Sequence, residues 1–143
     1  MRRYLPYNLD LALLVLRIAL AAVLLYHGIP KLMNFSTFVG GFQSMGIPAP
    51  ALSLAFATLA EVGGGLLILL GIATDIAGIL VVIDMVAAIM LVHLKNGFDF
   101  GKNGWEHPFT ILAIALALAL AGPGGYSPGG QRVSYKGAER RKR

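Results

Sequence analysis

The chain has 143 residues, of which 57% are apolar and only 13% charged, with 18 glycines, a formal charge of +5 and a mean hydropathy of +0.72. A water-soluble domain carries about 25% charged residues, so this composition excludes a soluble globular fold and leaves one small multi-span membrane domain. The absence of cysteine excludes structural disulfides, thiol relays, covalent c-type haem and Cys-ligated zinc or iron–sulfur centres.

The first apolar run, Leu9 to about Ile29, is long enough at ~1.5 Å per residue to cross a ~30 Å hydrocarbon layer. Ala19 to Ala21 offers an Ala-x-Ala cleavage site, yet the run continues past it and carries Arg17, so it reads as a retained helix rather than a signal peptide. From Asn34 to Pro50, Phe35, Phe38, Val39, Phe42 and Met45 recur near helical spacing among polar residues and glycines. This predicts a short amphipathic helix lying in the outer interface, ended by Gly46 and Pro48, over whatever the bundle holds.

A second run spans about 50–71 and a third about 76–94, joined by a link so short that the two helices must be antiparallel neighbours. An outer loop with Gly97, Gly101 and Gly104 follows, and Asn103-Gly-Trp-Glu106 resembles a capping box, with Trp105 suited to the interfacial belt. The fourth run, about 105–121, alternates Ala and Leu. Their helix propensity, and the impossibility of satisfying a lone strand in lipid, make it a helix, with Pro108 in its first turn. The expected fold is all-α: an integral membrane four-helix bundle over residues 1–125 with the short interfacial helix between its first two spans, then a basic, poorly ordered tail over 126–143.

Basic residues bracket the spans. Arg2 and Arg3 precede the first run, and six of the 12 Lys and Arg lie in the last twelve residues: Arg132, Lys136, Arg140, Arg141, Lys142 and Arg143. With an even number of spans, the positive-inside rule places both termini on the cytoplasmic side of a cell inner membrane. Anionic lipid, not nucleic acid, is the expected partner of the tail.

Three ionisable side chains fall inside the runs: Arg17, Glu61 and Asp84. Unpaired at a bilayer centre they would cost roughly 8 to 10 kcal/mol together, so they are expected to face inward and pair. Counted from the cytoplasmic ends of their helices, they lie about 12, 15 and 13 Å deep, which predicts one buried charge layer. One cation and two carboxylates leave an acid in excess, a candidate proton carrier; the alternative is an ion-pair layer that only fixes helix register.

A second polar cluster lies toward the outer face: His27, Lys31, His93, Lys95, Glu106 and His107. His27, Lys31 and His107 are candidate ligand-binding residues, able to hydrogen-bond the carbonyls of a quinone entering from lipid. Glu106 and His93 are the candidate catalytic proton carriers. Two histidines on neighbouring helices also leave a b-type haem open, as does a divalent metal with Glu106 and His107, although no His-x-x-x-His or Glu-x-x-His spacing sharpens the metal case. Interfacial residues reaching only for water remain the alternative to all of these.

The order and spacing of several pieces resemble the DoxX family of small four-helix membrane proteins. They are Arg17 ten residues before His27-Gly28-x-x-Lys31, Gly46-Ile47-Pro48, and Glu61 followed by Gly64, Leu67, Leu70-Gly71 and Thr74, with Glu106 opening the last helix and Gly122-Pro123-Gly124 closing it. Asp75 stands where a basic residue is common in that family, and the usual Ser-x-Asp ending is missing after Gly124. Members include a subunit of a thiosulfate:quinone oxidoreductase and proteins linked to oxidative stress. The resemblance therefore implies a membrane partner in quinone-linked redox work, with Arg17, His27, Lys31, Glu61 and Glu106 as the positions carried over. On this reading a quinone binds beneath the Phe35 to Met45 segment, and a soluble or membrane redox partner supplies electrons. A non-enzymatic membrane anchor or assembly factor, or a small-solute or proton pathway, is the alternative. So thin a bundle is open to homodimerisation.

Overall fold

The structure, a computed structural model, describes residues 8–128 and residue 130. Arg2, Arg3 and the basic tail from residue 131 onward lie outside those residues. Among the described residues there is helix and loop but no strand.

Helix α1 runs Leu9–Met33 and is opened by Asn8, whose side chain accepts from Leu11 N at 2.9 Å. It continues through Pro30, because a proline this close to the end forfeits one bond and the Pro30 carbonyl is still taken up by Asn34 N at 3.0 Å. Lys31 is therefore helical, one turn beyond Gly28. Helix α2, Phe35–Ser44, is amphipathic and has no fully buried residue. Helix α3 spans Pro50–Leu70 and helix α4 Thr74–Asn96, and each widens into one π-helical turn, over Leu59–Gly63 and Ile89–His93. Between α3 and α4, Gly71 takes the left-handed conformation that closes a helix (φ +72°).

Helix α5, Glu106–Ala121, has 16 residues and so rises ~24 Å, less than the ~30 Å hydrocarbon layer, whereas α1, α3 and α4 are each long and apolar enough to cross it. The expected capping box is not formed. Trp105 stands at the N-cap without a side-chain cap bond, and the Glu106 carboxylate accepts from Phe100 N at 3.2 Å.

The four long helices alternate in direction and pack as a ring, α1 on α3, α3 on α4, α4 on α5 and α5 back on α1. One end of the bundle, the terminal end, holds the start of α1, the Gly71 turn and the segment after α5. The other, the loop end, holds α2 and the 97–104 loop. Lipid tails are as apolar as Leu, so what draws these helices together is close packing at small residues. A Cβ on Gly64 would meet Val81 Cγ2 at 3.2 Å, and one on Gly78 would meet the Ala115 carbonyl oxygen at 2.8 Å. Leu20, Leu24, Ile68, Val81 and Leu118 fill the centre, while Val15, Ile18, Leu52, Ile76, Ile83, Met90 and Leu120 face outward.

Candidate ligand site

Every Cα–Cβ bond in a helix tilts toward its N-terminus. Arg17 and Lys31 on α1 therefore lean toward the terminal end, and Glu61 on the antiparallel α3 leans toward the loop end. Lys31 reaches inward and Glu61 reaches up to it, whereas Arg17 points away from both. Lys31 Nζ donates to Glu61 Oε1 at 2.7 Å and Oε2 at 2.6 Å, and Glu61 is 4% exposed.

The expected Arg17–Glu61–Asp84 layer is thus not formed. Arg17, 2% exposed, gives Nε to the Ile68 carbonyl at 2.8 Å and Nη2 to Leu69 at 2.6 Å, while Nη1 reaches both Pro123 and Tyr126 carbonyls at 3.0 Å. These bonds cap the end of α3 and fold the segment after α5 beneath the bundle, where Gly125 N also meets Asp10 Oδ1 at 2.8 Å. Gly71 is required there for a second reason, since a Cβ would lie 2.6 Å from Arg17 Nη2.

Gly28 explains how Lys31 finds its acid. A Cβ at Gly28 would meet Val62 Cγ2 at 2.7 Å and Glu61 Cβ at 2.8 Å, so the missing side chain lets α1 touch α3 at the level of Glu61. That crossing also shows why depth counting misplaced the pair: with Gly28 opposite Glu61, α1 begins ~15 Å beyond the end of α3, so helix ends are not level.

Two cavities flank the ion pair. The smaller, of about 300 Å³, is lined by His27, Lys31, Glu61, His93, His107 and the loop residues Phe100, Asn103 and Gly104. The larger, of about 850 Å³, lies under α2 and is lined by Phe38, Phe42, Met45, Phe56 and Leu91 together with Lys31, Glu61, Asp84 and His93. The amphipathic helix thus covers the Asp84 cavity, whereas His27 and His107 lie under the 97–104 loop instead and His93 borders both cavities. Asp84, 6% exposed, is within electrostatic reach of Glu61 and Lys31 and has no hydrogen-bond partner among the described residues.

The imidazoles converge on the smaller cavity. His27 and His107 have ring centroids 5.4 Å apart, and Phe100 covers His107 at 5.7 Å. His107 Nε2 is buried with no hydrogen-bond partner among the described residues. His93 Nδ1 lies 2.9 Å from the Asn103 carbonyl, which can only accept, so Nδ1 carries the proton and Nε2 of the neutral ring is the acceptor. Asn96 Nδ2 donates to the same carbonyl at 3.1 Å, which pins the loop over the cavity.

Glu106 departs from expectation. It is exposed, lines neither cavity, and accepts from the Phe100 amide in the loop. With Glu106 outside, no group of three His, Asp or Glu among the described residues is placed to hold a metal ion. Sequence reasoning missed both the Lys31–Glu61 pairing and the π-turns that hold Glu61 and His93. A π-turn has no local sequence signature, although such turns recur at functional sites.

Fold and site together define a small helical membrane protein with a buried ammonium–carboxylate pair between two cavities. The chain belongs to the DoxX family, whose profile matches residues 12–94. It is 29% identical over 116 residues to "Putative oxidoreductase CatD" of Bacillus subtilis, covering 80% of this chain and 82% of that one. It is also 31% identical over 121 residues to the inner membrane protein YphA of Escherichia coli (80% and 86% covered) and 31% over 123 residues to YqjF of the same organism (82% and 89%). No solved structure matches.

Proposed function

We propose that this DoxX-family membrane protein binds a quinone, or a similar amphipathic carbonyl compound, in the histidine-lined cavity, as the membrane subunit of a quinone-linked oxidoreductase. The observation that carries this is His107 Nε2: a buried ring nitrogen without a hydrogen-bond partner among the described residues, in a cavity that is large enough for a ring and borders a lysine. Such a group costs about 1–3 kcal/mol while unmet, and a ligand that completes its hydrogen bond recovers that. His107, His27 and the Lys31 ammonium can donate to carbonyl oxygens, and the apolar walls hold a ring.

A bound quinone supplies a two-electron, two-proton couple, with the electrons drawn from a partner protein or a soluble reductant. The chain's part is to bind, orient and handle protons. Lys31 stabilises negative charge at a ligand oxygen, and Glu61 holds Lys31 in place. His93, which borders both cavities, replaces Glu106 as the proton-exchanging group. The name of the CatD relative includes the word oxidoreductase, in keeping with this reading. Arg17, which ties the segment after α5 to α3 through carbonyls alone, favours a second reading, a membrane anchor whose polar groups only hold helices.

Trp105, the chain's one tryptophan, packs edge-on against Phe98 at 4.6 Å and Phe109 at 5.6 Å, beside the loop that closes the cavity. Titrating the purified protein in lipid nanodiscs with a short-chain quinone should quench Trp105 emission saturably, and His107→Phe should weaken binding about tenfold, a step of ~1.4 kcal/mol. Quenching that is linear in quinone and identical in His107→Phe would refute the quinone reading and leave the anchor.

A further inference from the structure

We propose that the larger cavity is a separate site for an amphipathic cation: a protonated amine whose ammonium meets Asp84 and whose apolar body fills the space beneath α2. The proposal does not rest on the quinone reading, which concerns the other cavity.

The charges around the cavity leave one acid over. The titratable groups lining it are Lys31 from α1, Glu61 from α3, and Asp84 and His93 from α4, while α2 contributes none. Lys31 and Glu61 satisfy each other through both carboxylate oxygens. Arg17, the buried cation among the described residues, is committed to four main-chain carbonyls nearer the terminal end. Asp84 is left as a surplus acid, 6% exposed and without a hydrogen-bond partner among the described residues.

Asp84 borders about 850 Å³ of space whose walls, apart from the Lys31–Glu61 pair, His93, Ser53 and Asn103, are apolar, with Phe38, Phe42 and Phe56 among them. A carboxylate in such surroundings is costly unless a cation with hydrogen-bond donors reaches it. An ammonium brings three donors and a full charge. A neutral alcohol of the same length brings one donor and no charge, and a fatty acid meets two carboxylates. Phenylalanine rings at the cavity wall suit the alkyl or aryl body and attract the cationic head.

The test is equilibrium binding of tritiated decylamine, decanol and decanoate to the protein in zwitterionic lipid nanodiscs, with empty discs subtracted. Decylamine should bind saturably and at least about tenfold more tightly than decanol, the scale of a charge-assisted bond, with decanoate weakest. Asp84→Asn should bring decylamine down to the level of decanol, and Asp84→Glu should retain the preference. Equal binding of amine and alcohol by the unaltered protein overturns the proposal even if Asp84→Asn fails to fold. An unchanged amine preference in a folded Asp84→Asn protein overturns it as well.

Discussion

Removing Lys31 should be far more damaging than removing the ion pair it belongs to. In Lys31→Met the methionine fills much of the same volume, but Glu61, whose side chain is 6% exposed, loses the donor to both of its oxygens. Breaking a buried pair from one side costs about 3–5 kcal/mol. Lys31 is itself 18% exposed, and some hydration of the site places the expectation at the low end, about 3 kcal/mol, a shift of more than about a hundredfold in the ratio of folded to unfolded protein. Glu61→Gln alone should cost less, because an amide is cheaper to bury than a carboxylate. The double variant Lys31→Met, Glu61→Gln should lie within about 1 kcal/mol of the parent, since it leaves no unpaired charge. Reversible unfolding in mixed micelles by added dodecyl sulfate, followed by helicity and Trp105 emission, measures all four proteins and closes a double-mutant cycle. If the double variant costs the sum of the singles, or if Lys31→Met is as stable as the parent, the two groups do not act as a buried pair.

Arg17→Met should destabilise the protein by about 3 kcal/mol, because Ile68, Leu69, Pro123 and Tyr126 lose a shared donor. Limited proteolysis should then cut near Gly125, and Arg17→Lys should not restore protection, as an ammonium lacks the planar fork. Gly28→Val should cost about 1–3 kcal/mol through overpacking, since its Cβ would intrude on Val62 and Glu61; an unchanged melting temperature would contradict the close crossing of α1 and α3. Glu106→Ala should alter stability by less than about 1 kcal/mol and leave quinone quenching of Trp105 unchanged, because the carboxylate only caps an exposed loop amide. A large loss of binding there would return Glu106 to the site. As the chain has no native cysteine, Asp75→Cys should label with impermeant maleimide only from the cytoplasmic side and Lys102→Cys only from the opposite side. The reverse pattern would invert the orientation.

Much of the fold was legible because bilayers impose local rules. Four apolar runs, a four-residue link and an amphipathic stretch between Asn34 and Pro50 follow from hydropathy and spacing alone. The burial of Arg17, Glu61 and Asp84 was equally legible, as was the gathering of His27, His93 and His107 toward one end, since cost in hydrocarbon forces charged groups inward. Partner choice was not. Arg17 and Glu61 have similar depths when each is counted from its own helix end, and that count fails because α1 overhangs α3 and because the antiparallel side chains lean apart. Likewise, nothing local says that Asn103 takes a left-handed conformation, with its carbonyl accepting from His93 and Asn96, or that Glu106 turns back to Phe100.

By itself, then, the order of residues determined that this protein is a helical membrane bundle with polar groups it must bury. Tertiary structure alone decided that Lys31 pairs with Glu61, that Arg17 closes the terminal end, and that Asp84 faces a cavity of its own. Hydropathy is a property of a segment, but a hydrogen bond depends on the offset, tilt and π-turns of two helices at once.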